Sequence, residues 1–319
     1  MRNKAATKSY KSLNTVLQYF TLKSTDYWHL QYDLNETWEE YFWDMSEKAS
    51  LCKLARDSNG ITQYIGEDGK LTYSHIELAQ YGMASYQMYL KTNNNYWLNE
   101  SKKHVEKLTS GIVQYKNSNS TILANYPINL YNINKPWPSA LALGVTISLL
   151  TRLYSLEKDT KYLTQAKKLG ENYQIEVNQG GVLRKVENPR ISILEEYPSD
   201  NISGVLNGHI TALWSIYDLG KFDEKYKILF TTLSRELAKH LNIWITNNWS
   251  LYDISHLSKK KQNLASIHYH MLHIKQILVL FKVTGIPDYA TYAERLIKQK
   301  YNARLRLCAF ISKVLFRIL

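Results

Sequence analysis

Three short runs set ionisable and phenolic side chains next to one another: Glu195-Glu196-Tyr197-Pro198, Ser250-Leu251-Tyr252-Asp253-Ile254-Ser255-His256 and His268-Tyr269-His270-Met271-Leu272-His273. Carboxyls and phenols that share a cleft can take up and return protons, starting from reference pKa values of about 4.3 for Glu and about 10 for Tyr. For both to work near neutral pH, the carboxyl must be desolvated or the phenol activated by a cation or a hydrogen bond. His256, His270 and His273 are near enough in sequence to supply such tuning. In a regular strand Glu196 and Tyr197 would point to opposite faces, so if both line one cleft the backbone there must be irregular. The three histidines around Tyr269 also raise a metal site. On a helix only His270 and His273 share a face, and no Cys or carboxylate sits at ligand spacing beside them, so no metal is expected.

Helices must position most of these groups. Apolar residues recur at three- and four-residue spacing over Tyr73 to Lys91, Tyr96 to Lys116, Ser139 to Glu157, Lys161 to Gln174, Gly204 to Leu219, Asp223 to Leu241, Tyr269 to Val283 and Asp288 to Lys300. Ser139, Asp223 and Asp288 read as N-caps. Gly181 to Leu183, Ile191 to Tyr197 and Trp249 to Ile254 read as short extended stretches, and Pro198 biases Tyr197 away from helical dihedrals. The helix over Tyr269 to Val283 is apolar nearly all round, yet Tyr269, His273 and Gln276 form a polar stripe on it. Asn207 and Thr211 interrupt the apolar helix after Gly204 in the same way. Buried polar groups without partners cost on the order of 1–3 kcal/mol, so these stripes point to partners or a wet cleft. The expected fold is mainly α, an incomplete (α/α) barrel of helical hairpins with short β-ribbons near the cleft. Residues 1–58 form an N-terminal arm and first helices, 59–300 the barrel domain and 301–319 a basic amphipathic helix.

Composition excludes several classes. The 319 residues are 45% hydrophobic and 21% charged, which rules out a disordered tail and a multi-span membrane protein. A formal charge of +12 favours an anionic partner. Only Cys52 and Cys308 occur, so no disulfide framework or thiolate zinc cluster is expected, and a reducing compartment is favoured. The first 25 residues read as a loosely held arm, basic at its start and lacking the apolar core of a signal peptide. No nucleic-acid-binding motif is present, and the expected site is a cytoplasmic one. The segment after Ala293 carries seven Lys or Arg residues among dense apolar ones, a pattern that can rest peripherally on an anionic inner membrane or dock on the barrel.

Read in order, and together with Val205-Leu206-Asn207-Gly208 and Tyr217-Asp218-Leu219, the three runs resemble the C-terminal catalytic domain of the D-glucuronyl C5-epimerases. Upstream, Trp137-Pro138-Ser139-Ala140 with Gly144 and Ser148 is similar to a helix start of that family, and Ile76 to Gly82 to an earlier helix. The resemblance spans about Gly60 to Val283. Animal members insert a large β-domain between the two upstream motifs; here only a helix and a loop join Gly82 to Trp137, as in bacterial members. The resemblance implies conversion of D-glucuronate to L-iduronate within a heparosan-like acidic polysaccharide, without a cofactor, and frequent homodimers.

It places Glu196 and Tyr269 as the opposed acid/base pair, Tyr197 and Tyr252 as further catalytic phenols, and Asn207 as a substrate contact. Inverting C5 requires one group to remove the proton and another to return one to the opposite face. The C6 carboxylate must also be neutralised. Where animal members have Arg after Tyr-Asp-Leu, this chain has Ser255, and Leu143 stands where the family has Gln. Arg184, Arg190 or His256 is expected to supply the missing carboxylate contact. Trp137, with Tyr81 and Tyr131, is expected to stack on sugar rings, and His270 and His273 complete the expected substrate-binding set. A uronate lyase, or a noncatalytic acidic-glycan-binding relative, is the alternative.

Overall fold

The computed structural model describes residues 19–20, 34–66, 69–116, 119–134, 136–258 and 261–318. They belong to two compact units, Asp33–His240 on the one hand and Leu241–Leu319 with the N-terminal residues on the other.

In the unit Asp33–His240 the apolar periodicity produces helical hairpins. After a short helix α1 (Ser46–Ser50) and a three-stranded antiparallel sheet of β1 (Ala55–Arg56), β2 (Thr62–Ile65) and β3 (Leu71–Thr72), α2 (His75–Thr92) pairs with α3 (Asn95–Ser110). The ribbon β4–β5 (Ile112–Tyr115 and Asn119–Ile122) leads to the hairpin of α4 (Ala140–Glu157) and α5 (Thr160–Gly170). A second ribbon, β6–β7 (Leu183–Glu187 and Arg190–Leu194), precedes α6 (Leu206–Gly220) and α7 (Glu224–His240). The first helices of these pairs, α2, α4 and α6, pack against one another in turn, whereas α3, α5 and α7 each pack outside their own partner. Their sequences fit the two roles. Every residue of α4 from Ala140 to Leu153 is buried, while α7 alternates buried Tyr226, Phe230, Leu233 and Leu237 with exposed polar positions. Inner helices that are apolar all round, covered by amphipathic outer ones, make the expected mainly α fold of (α/α) hairpins with short β-ribbons.

Close approach of α4 and α6 needs Gly144. A Cβ there would lie 2.9 Å from the Thr211 carbonyl oxygen, so no larger residue fits without separating the helices. Among the described residues α4 is also long and apolar enough to cross a membrane, and 78% of it is buried within the protein.

Asp218, in the Tyr-Asp-Leu run at the end of α6, proves to be a packing residue. Its carboxylate accepts from Arg152 of α4 at 2.7 Å and from the Trp38 indole at 2.6 Å, and both charged side chains are fully buried. The guanidinium also donates to the Trp38 and Ser148 carbonyls and lies against the Trp38 and Tyr41 rings.

The other unit holds α8 (Ile267–Thr284), α9 (Pro287–Tyr301) and α10 (Ala303–Ile318). Helix α8 is of the inner type, with Ile267, Leu272, Ile274, Ile277 and Leu280 buried, and α9 packs on it. The stretch after Trp249 is extended only as isolated bridges, Ile245 with Ser250 and Leu251 with Leu264. The expected arm over residues 1–25 falls outside the described residues apart from Tyr19 and Phe20. Tyr19 itself is buried with Trp249, Ile267 and Ala309, and its hydroxyl accepts from the Ile267 amide at 3.2 Å.

Helix ends match their expected caps at Ser139, whose hydroxyl accepts from the Ala142 amide, and at Asp223, whose carboxylate accepts from the Lys225 amide. Asp288 lies inside the first turn of α9 instead, because Pro287 supplies the helical φ at the start. The helix expected through Lys116 stops at Ser110. Gly111 follows, and Ile112, Val113 and Tyr115, which favour extended backbone, enter β4.

Removing one member of the buried Arg152–Asp218 pair strands the other. Asp218→Ala is expected to lower the unfolding free energy by about 3–5 kcal/mol in urea denaturation, and Arg152→Leu combined with Asp218→Leu by less than the two single losses together.

Candidate active site

Strand β7 ends at Leu194, whose amide donates to the buried His209 Nδ1 at 3.0 Å. The next two residues are both buried carboxyls in opposite circumstances. Glu195 is saturated with donors: Arg184 Nε at 2.6 Å, the Gly204 amide at 2.8 Å, the Ser203 amide at 3.2 Å and the Ser203 hydroxyl. Its backbone is held as well, donating to the Val182 carbonyl at 2.8 Å and accepting from the Ala140 amide at 3.0 Å. One residue thus ties the β6–β7 ribbon, the loop before α6 and the first turn of α4 together.

Glu196 receives less. Its side chain accepts from Asn207 Nδ2 at 3.1 Å and is hydrogen bonded to Tyr197. Burial pushes its carboxyl up to about 7, the nearby Glu195 charge adds to the rise, and the Tyr197 and Asn207 hydrogen bonds oppose it. A carboxyl raised toward neutrality can both accept and donate a proton. Gly208 makes the position possible, since a Cβ on it would lie 2.5 Å from Glu196 Cβ and 2.6 Å from Oε2.

Because the strand ends two residues earlier, Glu196 and Tyr197 escape the alternation of a regular strand and reach each other, as a shared site requires. The half-buried Tyr197 ring stacks on Tyr131 with centroids 5.0 Å apart and leans on Trp137 at 5.4 Å. Trp137 is buried and donates through Nε1 to the Tyr126 carbonyl at 3.0 Å. Arg184 is engaged by Glu195 and by the Ser199 carbonyl. It borders a groove of about 310 Å³ that Lys116, Lys185, Pro198 and Asp200 also line.

The second group of phenols lies in the other unit. Ser266 caps α8 and so fixes Tyr269 in the first turn. The Tyr269 ring meets that of Tyr252 edge to face, centroids 4.6 Å apart, and both residues are half-buried. Behind them Ser250 Oγ lies 2.9 Å from His270 Nδ1 and 3.2 Å from His273 Nδ1, and His270 Nε2 lies 3.0 Å from the Leu296 carbonyl. A carbonyl only accepts, so His270 Nε2 carries the proton and Nδ1 accepts from Ser250, whose oxygen then accepts from His273. His270 also stacks on Trp249 at 3.7 Å. Both imidazoles are fully buried, and burial pushes them down to about 3, so they are neutral at physiological pH.

Ser255, expected at the place of an arginine of animal members, turns inward, its hydroxyl donating to Asp253 Oδ1 at 2.7 Å. His256 is half-buried, and burial lowers its pKa too, against the pull of Asp253. Leu143 is buried in α4. Among the described residues, no three His, Cys, Asp or Glu side chains gather as a metal centre would need. Glu196, Tyr197, Asn207, Trp137 and Arg184 are thus one cluster, and Tyr252, Tyr269, His270 and His273 another. Sequence reasoning missed Glu195 as a clamp, His209 and Gly208. The small residue in the Asn207-Gly208 run was the one visible signal.

Residues 116–298, more than half of the chain, match the family model described as D-glucuronyl C5-epimerase C-terminus. The chain belongs to the D-glucuronyl C5-epimerase family. A D-glucuronyl C5-epimerase of Caenorhabditis elegans is 29% identical over 185 residues, 53% of this chain and 30% of that protein. An uncharacterized protein of Methanocaldococcus jannaschii is 28% identical over 173 residues, 54% of this chain and 55% of that one. The chain therefore spans about half the length of one curated relative and under a third of the other. Among solved structures, a D-mannose isomerase aligns with a TM-score of 0.53 at 11% identity, over 80% of this chain and 67% of its own. Cellobiose 2-epimerase from Bacillus thermoamylovorans aligns with a TM-score of 0.51 at 13% identity, over 70% of this chain and 58% of its own. Those similarities concern the fold.

The contact between Gly208 and Glu196 yields a double-mutant cycle. Gly208→Ala is expected to destabilise the protein by roughly 1–3 kcal/mol in chemical denaturation, as overpacking does. The same change made on a Glu196→Ala background, where the obstructing atoms beyond Cβ are gone, is expected to be milder.

Proposed function

We propose that the protein is a polysaccharide D-glucuronyl C5-epimerase, converting D-glucuronate to L-iduronate within a heparosan-like polymer. The observation that carries the reading is Glu196, a buried carboxyl raised to about 7 in the segment that matches the epimerase family model. In its ionised form Glu196 takes the proton as the C5–H bond breaks, and the electron pair delocalises into the C6 carboxyl group. Tyr269 returns a proton to the opposite face of C5, which inverts the centre. Exchange with water then resets the carboxyl and the phenol. Tyr197 and Asn207 hydrogen bond to Glu196 and hold it for the transfer, and the edge-to-face contact with Tyr252 holds the Tyr269 ring.

In this reading Trp137 and Tyr131 act through Tyr197, whose ring they hold, and Arg184 through Glu195. His270 and His273, neutral and enclosed, orient the start of α8 instead of touching the sugar. His256 is a hydrogen-bonding contact for the substrate. The basic balance of the chain suits an acidic polymer. Exposed Leu307, Ile311, Val314 and Leu315 share one side of α10, which supports peripheral contact with an anionic inner membrane.

Incubation with heparosan and other glucuronate polymers in deuterated water tests the reaction. Deuterium at C5 with inverted coupling constants is expected by NMR, and both Glu196→Gln and Tyr269→Phe are expected to reduce its rate at least about a hundredfold. An unsaturated, ultraviolet-absorbing product would identify a lyase. Binding without any label would identify a noncatalytic glycan-binding protein.

A further inference from the structure

Helix α10 lies beyond the segment that matches the family model, and it brings a cation to the Tyr252 ring. Arg306, Ala309 and Lys313 follow one another at spacings of three and four, so they share the inner side of the helix. Ala309 is buried in the cluster of Tyr19, Trp249 and Ile267, and Arg306 Nε donates to the Tyr19 carbonyl at 2.7 Å. One turn further on, Lys313 Nζ donates to Asn263 Oδ1 at 2.7 Å and to the Leu264 carbonyl at 2.8 Å. The Asn263 amide has its other end fixed, since Nδ2 donates to Asp253 Oδ2 at 2.6 Å. Ser255, Asp253, Asn263 and Lys313 therefore form one continuous hydrogen-bonded chain, which presents the ammonium 5.9 Å from the centroid of the Tyr252 ring. Tyr252 in turn touches Tyr269.

Holding a half-buried ammonium at a fixed point opposes its solvation and its side-chain entropy, and neutral oxygens compensate only in part. A carboxylate arriving beside Tyr252 would offer that ammonium a charge-assisted hydrogen bond, which the neutral oxygens of Asn263 and Leu264 do not. Ser255 and the neutral His256 bring no positive charge there, and Arg184 is engaged by Glu195 in the other unit. We infer that Lys313 binds the carboxylate of the sugar residue held at Tyr252 and Tyr269, so that the C-terminal helix supplies the charge that neutralises C6. The inference rests on the epimerase reading for the identity of that carboxylate, and no bond to Lys313 is made or broken.

Titration calorimetry of the full chain with a heparosan hexasaccharide, and with the same hexasaccharide after reduction of its carboxyl groups, tests the inference apart from the reaction. Lys313→Met is expected to weaken binding of the carboxylated probe about tenfold or more and to leave the reduced probe unaffected, with Lys313→Arg retaining most of the affinity. Thermal melting monitors the fold; should Lys313→Met unfold, Lys313→Gln, which keeps a donor for Asn263, takes its place. Equal binding by folded wild type and variant would overturn the inference, and so would a wild type that does not distinguish the two probes. Deuterium exchange at C5 keeps the two claims distinguishable. Exchange in the wild type with an unaltered variant removes the role of Lys313 alone, whereas carboxylate-dependent binding lost in Lys313→Met without any exchange removes the epimerase reading and leaves the Lys313 contact standing.

Discussion

Everything around Glu196 depends on the saturation of Glu195. A buried carboxylate is tolerable only when its oxygens are fully hydrogen bonded, and Glu195 meets that condition with donors from Arg184, Ser203 and Gly204. These donors come from the β6–β7 ribbon and the loop before α6, and the Glu195 carbonyl adds the first turn of α4. Three segments are thus fixed at a single residue. Its neighbour Glu196 is carried into a desolvated pocket with only two side-chain hydrogen bonds to hold it. Adjacent residues of the same type come to serve as an anchor and a proton carrier because their supply of donors differs.

The same economy recurs behind the phenols. His270 and His273 are not charged neighbours that lower a phenol pKa; burial keeps them neutral, and through Ser250 and the Leu296 carbonyl they fix the first turns of α8. Asp218 likewise holds Arg152 and Trp38 in place. Buried, hydrogen-bonded polar groups set where the half-buried Tyr197, Tyr252 and Tyr269 stand.

Helix positions were legible in the sequence because apolar periodicity is a local property. The ranges read for α4, α6 and α8 differ from the observed ones by no more than two residues at either end. The helix through Lys116 was misjudged where extended-backbone preference after Gly111 outweighed a continuing apolar pattern. Pro198 and the paired carboxyls marked the irregular turn at Glu196, yet nothing local distinguished Glu195 from Glu196, since the donors of Glu195 lie eight to eleven residues away along the chain. Lys313 was read merely as one charge of a basic helix. Its contact with Asn263, 50 residues distant, leaves no periodic trace.

A raised carboxyl pKa has a thermodynamic signature. The folded protein holds the Glu196 proton more tightly than the unfolded chain, so this group favours folding fully at low pH and progressively less as pH rises from about 4.5 through about 7. Each pKa unit corresponds to about 1.4 kcal/mol, which makes the burial of ionised Glu196 cost on the order of 3 kcal/mol at pH 8. The central claim is the poised state of this one group, and carbon-13 NMR titration of glutamate labelled at the carboxyl carbon observes it directly, with Glu196→Gln identifying the resonance. A midpoint close to 7 is the predicted result. A midpoint at the ordinary carboxylate value near 4.5 would contradict the account, because the pocket would then not raise the basicity of Glu196, and an ordinary carboxylate is a weaker base for the C5 proton.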